Sequence, residues 1–330
     1  MNNSTLSNLE NEKNLNFIKI SSITSGIFAV VGIICNLFTI VVLRGRRLRE
    51  TSTNIYLIAL AFFDFCFQLI VLSRVISILI SKDIRQSSSI VCKLQAFASY
   101  SNAWISVWLL VLVTVDRAIW VFYPFKAKVL CTQFRAKITI AIFYTLILCI
   151  CFKFFFTRNL YLEKNVYYCV NTMEKLTSIL DLLMIGVLPI TIMLVVNAGI
   201  IFKLKNQQKF RQKTSSKFML PKNEANEFEG KPPKPCARSV TKEDKASNLT
   251  YMLICSSLFY IVTTFPLLIY DIVLVFELLK VDNIVLYFEK ICYHLFELNF
   301  QLHFLIYCLS GPIFRDEATR LIKDIFKSKM

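Results

Sequence analysis

The sequence predicts an all-α membrane protein: a seven-transmembrane helix bundle followed by a short amphipathic eighth helix. Three observations support this fold class: seven long apolar runs, basic residues concentrated in alternate connections, and helical periodicity of apolar residues after the last run. Crossing a hydrocarbon core of about 30 Å takes roughly 20 helical residues, and a soluble domain of 330 residues does not need several such runs. Seven in series therefore indicate a helical membrane bundle.

The apolar runs divide the chain into three parts. We predict an extracellular N-terminal tail over residues 1–19, the bundle over 20–310 and an amphipathic cytoplasmic helix over 311–330. The runs are Ile20–Leu43, Ile55–Ile80, Ala96–Phe122, Ala136–Phe156, Leu176–Leu204, Leu249–Phe276 and Ile284–Leu309. The fifth connection, residues 205–245, is polar and rich in proline, and this composition predicts a disordered cytoplasmic loop.

The placement of Lys and Arg predicts the orientation of the bundle. Basic residues concentrate in the first, third and fifth connections and in the C-terminal tail. Cytoplasmic loops carry this excess, so we expect the odd connections inside and the N-terminus outside. Asn2 and Asn3, each the first residue of a sequon, would then lie outside the cell. Either these asparagines carry glycan, or the two sequons occur by chance in an Asn-rich tail.

The composition argues against several other classes of protein. The net charge of +16 does not indicate nucleic-acid binding, because the basic residues lie in loops between apolar runs. The two His are not at metal-ligand spacing, and most of the 11 Cys lie inside apolar runs, so we expect no metal site beyond a sodium ion considered below. We see no nucleophile–base pair typical of an enzyme and no internal repeat typical of a transporter.

The third run ends in a charged pair, Asp116-Arg117. As a helix, the segment from Cys92 to Arg117 would be about 37 Å long, so the cysteine would lie at one membrane face and the pair at the other. An ionised pair at the edge of an apolar helix is costly and is usually retained for a function, although it can also serve only to fix topology.

With these residues in place, the chain resembles the rhodopsin-like G-protein-coupled receptors. The matching residues, in the order of the family's pattern, are Asn36, Leu60, Ala61, Asp64, Asp116, Arg117, Pro124, Pro189, Pro266, Tyr307 and Phe314. Two segments, Thr263–Pro266 and Tyr307–Gly311, look like invertebrate FMRFamide-type neuropeptide receptors. The chain departs from the family's usual residues at Ala118, Tyr144, Asn197, Ala246, Thr264 and His303.

The resemblance implies a plasma-membrane receptor rather than an enzyme. Its partners would be an extracellular ligand, a short cationic or amidated neuropeptide, and a heterotrimeric G protein. Two alternatives remain open: a chemosensory or small-molecule receptor of the same fold, and a signalling-silent receptor, which the departures from the family's switch residues favour.

The resemblance also implies roles for individual residues. Cys92 and Cys169 would form a disulfide, worth about 4 kcal/mol in the chain-entropy model, unless they remain free thiols. Asp116, Arg117 and Tyr307 would form the switch that faces the G protein. The inner polar core would comprise Asn36, Asp64, Ser106, Asn299 and His303. In the family this core holds an allosteric sodium ion; here a His303–Asp64 pair without sodium is an equal alternative.

A polar set near the outer end of the bundle is expected to bind the ligand. Its members are Arg74, Ser99, Tyr100, Asn102, Asp181, Asp271, Glu289, Tyr293 and Glu297. The excess of carboxylates suits a cationic peptide, and the absence of an Asp where Ser99 stands argues against a biogenic amine. Alternatively, Arg74 pairs internally with Glu297, and Asp271 only caps the mouth of the bundle.

Overall fold

The structure, a computed structural model, describes residues 3–45, 51–80, 83–163, 166–218, 242–277 and 283–328. The helices are α1 Asn3–Leu43, α2 Ser52–Leu79, α3 Ser89–Phe122, α4 Pro124–Leu130, α5 Gln133–Cys151, α6 Phe154–Thr157, α7 Glu174–Asp181, α8 Leu188–Phe218, α9 Lys242–Val275, α10 Asn283–Glu297, α11 His303–Ser310 and α12 Pro312–Ser328. Two strands, β1 Arg158–Glu163 and β2 Val166–Asn171, pair antiparallel.

The bundle contains seven spans, which we number in chain order. Six are long and apolar enough to cross a membrane by themselves, within α1, α2, α3, α5–α6, α7–α8 and α9. Span 7 is interrupted: α10 and α11 are joined through a 3-10 turn at Leu298–Phe300, so neither helix has the length of a membrane span. The predicted helical membrane bundle is confirmed. α12 follows as the eighth helix, with Phe314 and Ala318 buried and Arg315 and Arg320 exposed.

Several boundaries differ from the sequence predictions. α1 already begins at Asn3, so most of the predicted tail over residues 1–19 is helical. α8 continues to Phe218 and α9 begins at Lys242, so both flanks of the loop predicted to be disordered are helical, and residues 219–241 lie outside the described part. Of the two predicted glycosylation sites, Asn2 lies outside the described residues and Asn3 is the first residue of α1.

The sequence analysis missed the β-hairpin in the connection between spans 4 and 5. Arg158 to Glu163 pair with Asn171 to Val166 in register, and β2 carries Cys169. Four of the six residues of β2 are Tyr or Val, which favour strands, but a run of six residues gives little signal beside helices of more than 20 residues. The hairpin places a rigid segment against the end of α3.

Local side chains fix the start of three spans. Thr51, Ser88 and Thr132 each accept a hydrogen bond from the backbone N–H three residues ahead, at the starts of α2, α3 and α5. Such caps satisfy N–H groups that the first helical turn cannot. Pro124, which lacks an N–H, begins α4 directly after α3 ends.

Span 3 lies at the centre of the bundle. α3 contacts α2, α5, α8, α9 and β1, and its Trp104, Ile105 and Leu109 are fully buried. By contrast, α1 exposes Ile20, Ile27, Ile34 and Val41 along one face, at a spacing of two helical turns. A row of exposed branched aliphatic side chains is typical of a lipid-facing surface.

A proline in span 5 creates a contact between spans 5 and 6. A π-helical segment, Leu182–Val187, precedes α8, and Pro189 lies in the first turn of α8. Proline has no N–H to donate to the carbonyl four residues back, which is that of Ile185. The Tyr260 hydroxyl, fully buried on α9, donates a hydrogen bond to this carbonyl. Spans 5 and 6 are therefore joined directly at this level.

Replacing Tyr260 with Phe tests this contact. Tyr260→Phe keeps the buried ring but removes the donor to Ile185, so we expect the free energy of unfolding to fall by about 1 kcal/mol. The measurement is thermal unfolding of the purified, detergent-solubilised protein. Tyr161→Phe, at an exposed tyrosine of β1, is the matched control. Equal effects of the two substitutions would show that the contact between spans 5 and 6 contributes nothing.

Candidate functional site

The disulfide fixes the connection between spans 4 and 5 over one end of the bundle. Cys92, in the first turn of α3, is bonded to Cys169 on β2, with 5.8 Å between their Cα atoms. The predicted pairing is confirmed. At the base of the hairpin, Thr172 donates its N–H to the Thr157 carbonyl at 2.8 Å. The ligand-binding residues predicted from the sequence are clustered near this end.

Three carboxylates from three different spans lie near one another; we call Asp181, Asp271 and Glu289 the acidic cluster. They come from spans 5, 6 and 7, respectively. Asp181 and Asp271 are close enough to repel each other electrostatically, and so are Asp271 and Glu289. Tyr293 lies within electrostatic range of all three. Four members of the predicted ligand-binding set therefore lie near one another in the structure.

Asp181 is the member of the acidic cluster that the surrounding protein groups stabilise most. Its Oδ1 accepts a hydrogen bond from Trp104 Nε1 at 3.0 Å, and Lys153 and Arg158 lie within electrostatic range. The Lys153 ammonium lies 5.4 Å from the centroid of the Trp104 ring. Its Nζ is buried and has no hydrogen-bond partner among the described residues. Asp181 is thus compensated by the protein itself.

Aromatic rings pack against these two cations. Tyr100 stacks on Phe154 at 4.3 Å between ring centroids. The Arg158 guanidinium lies 5.9 Å from the Tyr100 centroid and donates a hydrogen bond of 3.4 Å to the Tyr100 hydroxyl. Tyr100 was predicted from the sequence to bind ligand, whereas its partners were not.

Asp271 differs from its two neighbours. Glu289 has a cation beside it, since Lys290 Nζ lies 2.8 Å from Oε1. In the described part of the chain, the half-buried Asp271 makes neither a hydrogen bond nor an ion pair. An uncompensated carboxylate between two others is electrostatically unfavourable. Asp271 is therefore the position in this cluster where an additional cation would be bound most favourably.

The ion pair between Arg74 and Glu297, which the sequence left open as an alternative, is not formed. Glu297 Oε2 instead accepts a hydrogen bond of 2.8 Å from Ser25 and lies 3.3 Å from His294 Nδ1. Ser21 Oγ lies 2.9 Å from the other ring nitrogen of His294, so this group joins spans 1 and 7. Arg74 lies within electrostatic range of Glu297 but makes no ion pair with any described residue.

Two further predicted residues do not belong to the acidic cluster by contact. The Asn102 side-chain amide donates to the Ala98 carbonyl of its own helix at 2.8 Å. Ser99 is half-buried on α3. Both lie on span 3, and neither hydrogen-bonds a member of the acidic cluster.

Fewer residues meet at Asp64 in the inner polar core than the sequence predicted. Asp64, fully buried, accepts a hydrogen bond from Ser106 on one oxygen, and His303 Nδ1 lies 2.9 Å from the other. Asn36 and Asn299 do not reach Asp64. Asn36 donates to the Phe300 carbonyl at 2.8 Å.

Asn299 faces span 6 instead of Asp64. Its Oδ1 accepts a hydrogen bond of 2.8 Å from Thr263, and its Nδ2 donates to the Phe296 carbonyl at 3.0 Å. The 3-10 turn that contains Asn299 changes the rotation of span 7. The direction of the Asn299 side chain could therefore not be predicted on the assumption of a regular helix. The prediction that Asn36 and Asn299 converge on Asp64 was therefore wrong.

The charged pair at the other end of span 3 is buried and shared with span 2. Asp116 accepts hydrogen bonds from Ser52 at 2.8 Å and Thr53 at 2.5 Å. Arg117 Nη2 lies 3.9 Å from the Asp116 carboxylate and donates to Thr53. The two side chains are adjacent, as predicted, but their shorter contacts are hydrogen bonds with the hydroxyls of Ser52 and Thr53. Tyr307, predicted as part of this switch, packs instead against His303, with 5.9 Å between ring centroids.

The arrangement of spans, disulfide and charged pair agrees with a comparison against known families. Residues 35–308 match the family described as 7 transmembrane receptor (rhodopsin family). The chain belongs to this receptor family. The family resemblance inferred from the sequence is therefore confirmed, and the chain is a multi-pass membrane protein.

Individual relatives match over shorter segments. The growth hormone secretagogue receptor type 1 of Oryctolagus cuniculus is 33% identical over 122 residues, covering 36% of this chain and 32% of its own. A galanin-like G-protein coupled receptor of Caenorhabditis elegans is 31% identical over 39% of this chain and 30% of its own. The type-1 angiotensin II receptor of Meleagris gallopavo is 26% identical over 46% and 41%. The matched segments thus span less than half the length of these relatives.

Sequence reasoning missed four residues that hold the site together: Trp104, Lys153, Arg158 and His294. Lys153 carried a usable signal, because a cation inside the apolar run of span 4 is costly unless it has a partner. His294 carried a weaker one, as one of two histidines in the chain. Trp104 and Arg158 carried none, since neither residue type is unusual at the end of a span.

Removing Cys169 tests the disulfide. Cys169→Ser should lower the free energy of unfolding by about 4 kcal/mol, because the unfolded chain regains the entropy of a long open loop. Cys149→Ser, at an exposed free cysteine, is the matched control. Peptide mapping of the unreduced wild-type protein provides the second measurement. Alkylation of both Cys92 and Cys169 without reductant would contradict the bond.

Proposed function

We propose that this chain is a plasma-membrane receptor, with its N-terminus outside the cell, that binds a short cationic peptide at the acidic cluster and activates a heterotrimeric G protein. The observation that carries the proposal is the uncompensated Asp271 between Asp181 and Glu289. Receptor signalling follows from the family. The chemistry of the ligand follows from the cluster.

The charge of the acidic cluster supports a cationic ligand. Asp181 and Glu289 already have protein cations nearby, whereas Asp271 has none in the described part of the chain. A guanidinium or ammonium placed at Asp271 would also lower the repulsion with both neighbours. A charge-assisted hydrogen bond to a carboxylate is among the stronger polar contacts, and arginine can form two in parallel.

The aromatic side chains favour arginine over a small amine. Tyr100 and Tyr293 lie close enough to interact with each other, and Tyr293 borders the acidic cluster. A planar guanidinium stacks on aromatic rings while it binds carboxylates through its edge. A ligand that makes both the stacking contact and the carboxylate contact must be larger than a single amine group.

A peptide with an amidated C-terminus fits this site better than one with a free carboxylate. Amidation removes a negative charge that the acidic cluster would repel. The names of the relatives, which refer to a growth hormone secretagogue, galanin and angiotensin II, also favour peptides. We therefore propose a short amidated neuropeptide of the FMRFamide type as the ligand.

Signal transfer would use the charged pair at the opposite end of span 3. Arg117 is buried against Thr53 and Asp116. A ligand that binds one arrangement of the spans more tightly shifts the population toward it. Movement of span 6 away from span 3 would then open the surface around Arg117 to the G protein.

Neutralising Asp271 tests the ligand site. After a screen of amidated peptides containing arginine has found an agonist, Asp271→Asn should raise its half-maximal concentration by about tenfold or more, because a charged hydrogen bond is lost. The measurement is G-protein activation in cells with equal surface expression. Asp83→Asn is the matched control, since Asp83 lies in the connection between spans 2 and 3 and is already paired with Arg85 at 2.5 Å.

The peptide itself provides a second control. Replacing its arginine with citrulline, which is neutral and of similar shape, should weaken activation of the wild type. The same replacement should have little further effect on Asp271→Asn, because the pair is already broken. Additive losses in the double-mutant cycle would exclude a direct contact between Asp271 and the arginine.

Arg117→Ala tests the switch separately. We expect peptide binding to persist while nucleotide exchange on the G protein is lost, since Arg117 lies at the far end of span 3 from the ligand site. Binding of labelled peptide and nucleotide exchange in membranes are measured side by side. Arg44→Ala, an exposed arginine at the end of α1, is the control. Full nucleotide exchange by Arg117→Ala would refute the assigned role.

A further inference from the structure

The inner core of this chain does not provide the ligands that an allosteric sodium ion requires. Of the five residues that the family resemblance assigns to such a site, only Asp64, Ser106 and His303 meet. Asn36 and Asn299 are bonded elsewhere. A small hard cation needs several oxygen ligands around it. The Asn299 oxygen is already bound by Thr263, and the Asn36 amide is bound to the Phe300 carbonyl.

His303 occupies the place beside Asp64 that a cation would take. The two side chains are buried, with 0% and 4% of their surface exposed. Ser106 donates a hydrogen bond to Oδ1 of Asp64, and His303 Nδ1 lies 2.9 Å from Oδ2. The imidazole ring and its hydrogen bond fill the space beside Oδ2, so a cation could bind there only by displacing His303.

We infer that His303 replaces sodium in this receptor, so that the chain joins spans 2, 3 and 7 with its own side chains and is insensitive to sodium. A buried carboxylate needs a partner at all times. Where that partner is a dissolved ion, stability depends on its concentration. Here the partner is covalently part of the chain, and it is held in place by Tyr307, whose ring stacks on the His303 ring.

The orientation of His303 is supported from a second side. Its ring is nearly parallel to that of Tyr307, with an interplanar angle of 19°. Tyr307 in turn packs edge-on against Phe314 of α12, with 5.6 Å between ring centroids. The imidazole therefore belongs to a packed stack that reaches the eighth helix, and its position beside Asp64 is set by that packing as well as by the hydrogen bond.

The test compares thermal unfolding of the full-length purified protein in sodium chloride and in choline chloride at equal ionic strength. The wild type should unfold at the same temperature in both salts. His303→Asn should unfold at a higher temperature in sodium than in choline, because asparagine removes the imidazole from Asp64 and offers an oxygen ligand in its place. The readout is unfolding alone, so it does not depend on the proposed ligand or on signalling.

His294→Asn is the matched control, since it changes the other histidine of span 7, which contacts Ser21 and Ser25 instead of Asp64. This variant should show no difference between the two salts. Stabilisation of the wild type by sodium would overturn the inference, and this measurement needs no variant that might misfold. A folded His303→Asn protein without a response to sodium would overturn the role assigned to His303.

Discussion

Burial of polar groups in a hydrocarbon environment constrains this structure more than any other factor. A bilayer core offers no water, so each polar side chain within a span must find its partner inside the bundle. Span 3 meets this requirement at three levels. Trp104 binds the carboxylate of Asp181, Ser106 binds that of Asp64, and Asp116 itself is bound by the hydroxyls of span 2. The other spans are arranged around these contacts.

The same constraint applies to the backbone. Pro189 leaves the Ile185 carbonyl without its usual donor, and Tyr260 on the neighbouring span provides one. Pro266 lies inside α9, less than two turns from Tyr260. Each of the two spans therefore contains a proline close to the depth at which Tyr260 joins them. A departure from regular helix in one span is thus compensated by a side chain of the next, which couples the two.

The sequence predicted the spans, the disulfide and the charged pair because each depends on a local or one-dimensional signal. Hydrophobic runs place both ends of α2 within three residues and the end of α3 at Phe122, although α3 begins seven residues before its run. Two cysteines at the same membrane face can pair. The inner core was only half predicted. Asp64, Ser106 and His303 meet, but Asn299 turns toward Thr263 because a 3-10 turn rotates this part of span 7.

The contacts that the sequence did not predict share a physical cause. Side-chain direction inside a bundle depends on the rotation, tilt and interruption of each helix, and hydrophobic periodicity records these only coarsely. Glu297 illustrates the limit: by position it was a candidate partner for Arg74, yet it binds Ser25 of span 1 beside His294. The β-hairpin was missed because six-residue strands carry little pattern among long apolar helices.

The carboxylates within the spans differ in a way that separates structure from binding. Asp64 and Asp116 are buried, and each accepts two hydrogen bonds, so both hold the bundle together. Asp271 has no partner in the described part of the chain and lies near two further carboxylates. An uncompensated charge lowers stability, and a cation shared by spans 5, 6 and 7 would recover that free energy on binding.

Because spans 5 and 6 are also joined through Tyr260 and Ile185, a cation that draws their ends together acts on two helices already linked below it. The free energy of binding at Asp271 can therefore change the packing around Pro266 instead of only closing the mouth of the bundle. A ligand shifts the population only by the difference in its affinity for the two packings. An acidic cluster built from three separate spans provides that difference, because its repulsion depends on how closely the three helices approach.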